Sequence, residues 1–320
     1  MNVIKAETAR SGKAPGGTKV RRRKKYQYYA YIWLLPAIVL MLMFCYVPPV
    51  MSLVTSFYDS NGVQLQGFAG LENYRYVLSD RIFWISLKNV FIITISTFLL
   101  SHLANLILAE LLVNLRFKRL SAFYRIMFVI PIVVPGIVGL MIWQKIIFMP
   151  SEQSIANLIV GLFGIEPQGW YFSENTVLLS IILTGFPWGG GTTMLIYIAS
   201  LQGISAEMIE ATKLDGVGPL RRIVYFHLPM MVGQIKYFVI TSIISGMQNF
   251  NLQLIVTGGG PGVDGASMVP GYLIYNYAFN KSDYGRANAL GIILFLIIMA
   301  LTVINNVFIK NKNSEEEDGA

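Results

Sequence analysis

The sequence predicts an all-α integral membrane protein with six transmembrane helices, on three observations. The chain has 320 residues, of which 54% are hydrophobic and only 13% charged, whereas a soluble domain carries about 25% charged residues to keep its surface hydrated. Its apolar residues fall in blocks of about 20, the number a helix needs to cross about 30 Å of hydrocarbon. None of these blocks alternates apolar and polar residues over segments of about ten, as the strands of a membrane barrel do. Lipid is therefore the main solvent of this chain, and helices are what cross it.

The expected spans are residues 31–53, 90–112, 126–148, 177–201, 237–256 and 290–308. The first follows a basic run, Arg21 to Lys25. It is longer than the about 7–15 apolar residues of a cleaved signal and lacks a small-x-small cleavage site, so it reads as a retained anchor. Its single cysteine, Cys45, excludes an intrachain disulfide and a thiolate metal site. Lys and Arg are lopsided about the spans. Nineteen of the 25 fall in the N-terminal tail, around 116–125, in 201–236 and in the C-terminal tail. Six fall on the other side: Arg75, Arg81, Lys88, Lys145, Lys281 and Arg286. Because segments rich in Lys and Arg stay in the cytoplasm, both termini are expected there, in a multi-pass protein of the bacterial cytoplasmic membrane.

The organisation expected is a basic tail (1–30), a membrane domain (31–310) with a large cytoplasmic loop (202–232), and an acidic tail (311–320). Glu315, Glu316, Glu317 and Asp318 read as a solvated end. The basic cluster beside the first span is placed to meet anionic headgroups of the bilayer, and no nucleic-acid partner is expected.

Several chemistries are absent. No stretch matches the phosphate-cradling G-x-x-x-x-G-K-[ST] loop, since Gly12-Lys13 is followed by Ala14. The chain is thus expected to be no enzyme, with no catalytic residue, metal or cofactor of its own. Neither histidine stands in a zinc-protease context. His102, beside Ser101 and Asn105, reads as an interhelical hydrogen-bonding group. An ion-coupled carrier needs carboxylates within the membrane. Glu110, the one acid inside a span, is expected at a cytoplasmic end in reach of water.

The most informative stretch lies between spans four and five. Ser205 can cap a helix with Glu207 in its first turn, and Asp215-Gly216 can end it. Gly218-Pro219 then opens a second helix, expected to turn Leu220, Ile223, Val224 and Phe226 inward and to stop at Pro229. Met208, Ile209 and Leu214 give the first helix an apolar face. On physical grounds alone the segment could equally be an amphipathic loop on the headgroups.

Span five carries Ser242, Ser245 and Asn249 at i, i+3 and i+7, a polar stripe on one helical face. Gln248, Asn251 and Gln253 lie close by. Interhelical bonds could satisfy these groups, but the stripe is more polar than packing requires and favours a site for a polar solute. In span four, Gly185-Phe186-Pro187-Trp188-Gly189-Gly190-Gly191 should break or kink the helix and supply an aromatic face. Irregular backbone at membrane depth is tolerated where it faces protein or a watery cavity, so the break points to a pathway. Pro131, Pro135, Trp143 and Gln144 make span three a weaker contributor.

These residues resemble the permease subunits of binding-protein-dependent ABC importers. The coupling motif of that family is E-A-A, three residues, G, nine residues, I-x-L-P. It is matched by Glu210, Ala211, Gly216, Leu228 and Pro229, with Thr212 and Phe226 as departures. Thr257-Gly258-Gly259-Gly260-Pro261-Gly262, Gly70-Leu71-Glu72-Asn73-Tyr74, Tyr275 to Asn280 and Tyr284-Gly285-Arg286-Ala287-Asn288-Ala289 are similar to segments of its carbohydrate-uptake branch, typified by the maltose-importer permease. The chain looks most similar to Gram-positive complex-saccharide permeases.

The resemblance implies the transmembrane fold of type I importers and ATPase coupling through Glu207, Glu210, Ala211, Asp215 and Gly216. It implies sugar contacts at Trp188, Gly189, Ser242, Ser245, Gly246 and Asn249. It also implies a second homologous permease, two ATPase subunits that bind ATP and Mg, an extracellular solute-binding protein and a saccharide, expected to be an oligosaccharide, as cargo. Two alternatives stay open: an ABC permease for a non-sugar solute such as glycerol phosphate or an amine, and a stand-alone secondary carrier or channel.

Overall fold

The computed structural model describes residues 25–256 and 265–308. The basic cluster at 21–24, the glycine-rich motif at 257–262 and the acidic tail at 315–318 lie outside them. The chain divides into two compact units, 1–51 and 52–320. The first holds helix α1 (Lys25–Met41), a π-helical stretch, Leu42–Tyr46, and the start of α2 (Val47–Thr55). Pro48 and Pro49 cannot donate back to residues 44 and 45, which accounts for a loosened turn there.

The second unit opens with an antiparallel hairpin of β1 (Tyr58–Ser60) and β2 (Leu65–Phe68) and then the short helix α3 (Glu72–Ser79). Helix α4 (Arg81–Asn114) has 34 residues and begins well before the expected 90. The reason is a cap: the Asp80 carboxylate accepts from the Ile82 amide at 2.8 Å. Helix α5 (Lys118–Val129) passes through a 3-10 turn, Ile130–Val133, before α6 (Gly136–Ile142) and a π stretch, Trp143–Ile147. The two halves meet at 92°. Val134 is extended, the conformation favoured before proline, and the chain turns at Pro135.

After α7 (Ile155–Gly161), the expected fourth span is two helices, α8 (Val177–Leu183) and α9 (Gly191–Gln202). Then come α10 (Ala206–Leu214), α11 (Pro219–Arg222), a π stretch Ile223–His227, and α12 (Leu228–Met230). Helix α13 (Val232–Gln248) and α14 (Asn251–Val256) form the fifth apolar region. The chain ends in α15 (Pro270–Tyr275), a π stretch Asn276–Asn280, and α16 (Tyr284–Phe308).

Among the described residues four helices are long and apolar enough to cross a membrane, with a fifth if the bent pair at 118–147 is one span. The fourth expected region, 177–201, fails the length test because its helix stops at Leu183 and restarts at Gly191. Helix α4 is the centre of the unit and packs against α5, α8, α9, α13 and α15. Its buried Phe83 and Val90 join Met247, Tyr272 and Leu290 in one core cluster, and its Ala109 and Leu112 join Met194, Tyr197 and Phe238 in another.

Candidate functional site

The break in the fourth region is held open by α4. Gly185, Trp188, Gly190 and Gly191 all adopt positive φ, at 92°, 55°, 115° and 68°. Such a run cannot continue a right-handed helix. Its freed backbone groups find partners on Asn105, which is 2% exposed. The Asn105 amide donates to the Trp188 carbonyl at 3.2 Å and its carbonyl accepts from the Gly190 amide at 2.8 Å. Ser101 adds a donor to the same Trp188 carbonyl at 3.3 Å. The close approach explains the glycines: a Cβ on Gly189 would strike Leu108, and one on Gly190 would lie 2.5 Å from the Phe128 carbonyl oxygen. The Trp188 indole donates to the Ile182 carbonyl at 3.0 Å, so the ring is tied to the turn that precedes it.

Beside this break lies a cavity of about 250 Å³, lined by Thr94, Thr97, Thr184, Gly246, Asn249 and Gln253 among apolar neighbours. Two of the expected pathway residues, Gly246 and Asn249, meet there. Gly246 is small because Thr94 faces it: a Cβ would come within 2.7 Å of the threonine methyl and hydroxyl. The Thr94 hydroxyl is buried without a partner among the described residues. The other expected residues are placed elsewhere. The Ser242 hydroxyl meets His102 Nε2 at 3.5 Å, while His102 Nδ1 meets the Tyr197 hydroxyl at 3.1 Å. His102 is thus the interhelical bridge the sequence predicted. Ser245 is exposed and donates to the Thr241 carbonyl of its own helix at 2.7 Å. The stripe is also interrupted: α13 ends at Gln248, and Asn249 is extended, with ψ 128°, accepting from the Asn251 amide at 3.1 Å. Sequence reasoning missed Thr94, Thr97 and Thr184, because lone threonines in an apolar helix carry no periodic signal.

The 202–232 segment forms the expected corner. Ser205 caps α10, its hydroxyl accepting from the Met208 amide at 3.3 Å, and Gly216 turns the chain with φ +70°. Open space surrounds Gly216. Glu207, Glu210, Ala211, Asp215 and Gly216 are all exposed, as are Met208 and Leu214. Two details differ from expectation. Leu220 and Val224 face outward, with Ile223 and Phe226 half-buried, and the residue turned fully inward is His227. The helical run also passes through Pro229 and ends at Met230, with the π stretch Ile223–His227 immediately before the proline, where its missing amide loosens the turn.

His227 explains a correction. Glu110 is largely covered: it is 7% exposed, its carboxylate lies 2.5 Å from His227 Nδ1, and the two line a cleft with Arg116 and Arg222. Position near a helix end suggested exposure, but the 202–232 segment folds over that end and covers it.

At the opposite end of α4, two motifs some 200 residues apart in sequence come together. Asn73 donates to the Ser56 and Tyr58 carbonyls at 3.1 Å each. A Cβ on Gly285 would strike that Tyr58 carbonyl, and Asn288 donates to Thr55 at 2.7 Å. The Arg286 guanidinium stacks 3.7 Å over Tyr76 and pairs with Asp283 at 3.1 Å. Tyr277 donates to Asp80 at 2.8 Å. Burial, helped by that carboxylate, raises the Tyr277 hydroxyl well above its ordinary pKa, so it stays a donor.

A set of long apolar helices with broken segments, a cavity with hydroxyl and amide groups in its lining beside the break, and an exposed helix-glycine-helix corner describe a multi-pass membrane protein. The comparisons give the family. Residues 103–313 match the model of the binding-protein-dependent transport system inner membrane component, and the chain belongs to that family. It is 26% identical to the multiple sugar-binding transport system permease protein MsmF of Streptococcus mutans, over 88% of this chain and 96% of that one. It is 28% identical to the trehalose/maltose transport system permease protein MalF of Thermococcus litoralis, over 86% and 91% of the two chains. Among solved structures, a chain of a bacterial ABC transporter that imports the acidic polysaccharide alginate superposes with TM-score 0.75 at 17% identity, covering 89% of this chain and 96% of that one. The fold is therefore that of a type I ABC importer permease.

Proposed function

We propose that this chain is a membrane-spanning subunit of an ATP-driven carbohydrate importer, forms half of the translocation pathway, and receives the motion of separate ATPase subunits through the turn at Gly216. The observation that carries this reading is the 206–216 corner. Glu207, Glu210 and Asp215 are exposed together with Met208 and Leu214, while Ile209 of the expected apolar face turns into the core. In a family defined by dependence on a binding protein, such a surface is complementary to a groove on a motor subunit.

The remaining parts follow from this assignment. The broken 177–202 region is the fourth of six spans, and the excess of Lys and Arg puts both termini and the Gly216 turn on the cytoplasmic side. The cavity of about 250 Å³ is smaller than the about 300–1,000 Å³ of complete small-molecule sites. This fits a half-pathway completed by a second, homologous permease. Its polar lining of hydroxyls and amides carries no cation, which favours a neutral saccharide over glycerol phosphate. Several sugar-transport relatives support the same cargo class. Trp188, Gly189, Ser242, Ser245, Gly246 and Asn249 are proposed as pathway positions, with Thr94 and Thr97 added. ATP and Mg act on the partner ATPase subunits, and an extracellular binding protein delivers the cargo.

The test is uptake of a panel of radiolabelled oligosaccharides into proteoliposomes. ATP-dependent uptake is expected when this chain, its partner permease, the ATPase and the binding protein are all present. Flux through vesicles holding this chain alone would overturn the reading in favour of a stand-alone carrier.

A further inference from the structure

The buried pair of Glu110 and His227 has no role in the proposed pathway or turn. Among the described residues Glu110 is the one buried acid. Desolvating a carboxylate against an imidazole stabilises a fold little more than an apolar contact of the same volume. Stability alone therefore does not account for the pair. The carboxylate is held from two sides: Oε1 meets His227 Nδ1, and Oε2 accepts from Asn114 Nδ2 at 3.2 Å. The Asn114 amide is itself fixed by donating to the Glu110 carbonyl at 2.8 Å. Around the pair, Ala109 and Leu112 of α4 pack in one cluster with Ile209 of α10, Leu228 and Met231.

The other end of this arrangement lies along α4. Asn105 holds the broken turn at Trp188 and Gly190, His102 bridges Tyr197 and Ser242, and Thr94 and Thr97 line the cavity. From Glu110 to Thr94 is about 24 Å of unbroken helix at 1.5 Å per residue. A continuous helix is stiff along its axis, so whatever moves one end moves the other.

We infer that Glu110 and His227 form the latch by which displacement of the Gly216 turn is passed into α4, and through α4 to the cavity and the broken fourth region. The inference rests on the coupling role proposed above. Both are positioning residues: neither touches cargo or nucleotide. A directional hydrogen bond resists sliding between the two helices, whereas an apolar contact lets them slip.

The test uses the whole importer in vesicles, with Cys45→Ser and a single reporter, Asn249→Cys. The readout is its rate of modification by a charged, membrane-impermeant maleimide from the extracellular side, with and without ATP plus vanadate. The native pair is expected to give a nucleotide-dependent change in rate. Glu110→Leu/His227→Leu keeps the buried volume while deleting the bond, so the ATPase should still co-purify. The nucleotide effect should fall on the order of 5- to 150-fold, the usual span of coupling between sites. His227→Asn retains an amide donor where Nδ1 stands and should keep the effect to within about twofold of native on the same scale. A native-size effect in the Leu/Leu variant, or its loss in an assembled His227→Asn complex, overturns the latch. No nucleotide effect with the native pair in place overturns the coupling role of the turn, and the latch with it.

Discussion

The chain turns sharply at glycine in two regions that do opposite things. In the break at 184–190, Gly190 needs its glycine twice over: φ is +115°, and the Phe128 carbonyl would stand 2.5 Å from any Cβ. At the 206–216 corner, Gly216 needs it once, for φ +70°, and open space surrounds it. One turn is welded into the core by Asn105, and the other is left free on the surface. A turn that serves the fold is built so that nothing can be added. A turn that serves a partner satisfies its own backbone and keeps its outer side vacant.

Substitutions can break that contrast, beginning with the largest effect. Gly190→Ala should lose on the order of 3–5 kcal/mol of stability, from backbone strain and overpacking together. It should be seen as loss of monodisperse protein on fluorescence-detected gel filtration; native behaviour would show that the break tolerates a side chain. Asn105→Leu strands the Gly190 amide, worth about 1–3 kcal/mol when buried and unpaired, and leaves the Trp188 carbonyl with Ser101 as its donor. A matching drop in thermal unfolding temperature is expected.

At the corner, Gly216→Ala should cost only about 1–2 kcal/mol, the strain of positive φ on an L-residue. Gly216→Glu should leave insertion and folding intact while abolishing uptake in the reconstituted importer. Normal transport by Gly216→Glu would remove the corner as the coupling element. The smallest effect is at Ser245, whose hydroxyl is already satisfied by its own helix. Ser245→Ala should change stability by less than about 0.5 kcal/mol, as an exposed substitution does. A several-fold rise in the KM for uptake, with folding unchanged, would make Ser245 a cargo contact.

Much of this was legible in the sequence for a reason particular to membranes. Apolar block length and the breakers inside a block are local properties, so five of the expected regions contain the helices that pass or nearly pass the length test, and the 184–190 break was foreseen. The Gly216 corner was legible because capping and chain reversal are also local: Ser205, Asp215-Gly216 and Pro219 each act within a turn of themselves. The 92° bend at 133–136 was not legible, since a proline's local rule says that a helix is disturbed and not how far the next one swings.

What the sequence by itself determined is the solvent, the helical class, the positions of the breaks and the corner that marks the family. Each rests on interactions within a few residues. Only the tertiary structure decided which polar groups meet. It sent Ser242 to His102, brought Asn105 under the broken turn, set Thr94 against Gly246, and buried Glu110 under His227. Those pairings depend on how helices pack across the bundle, and spacing along one helix carries no record of what stands opposite.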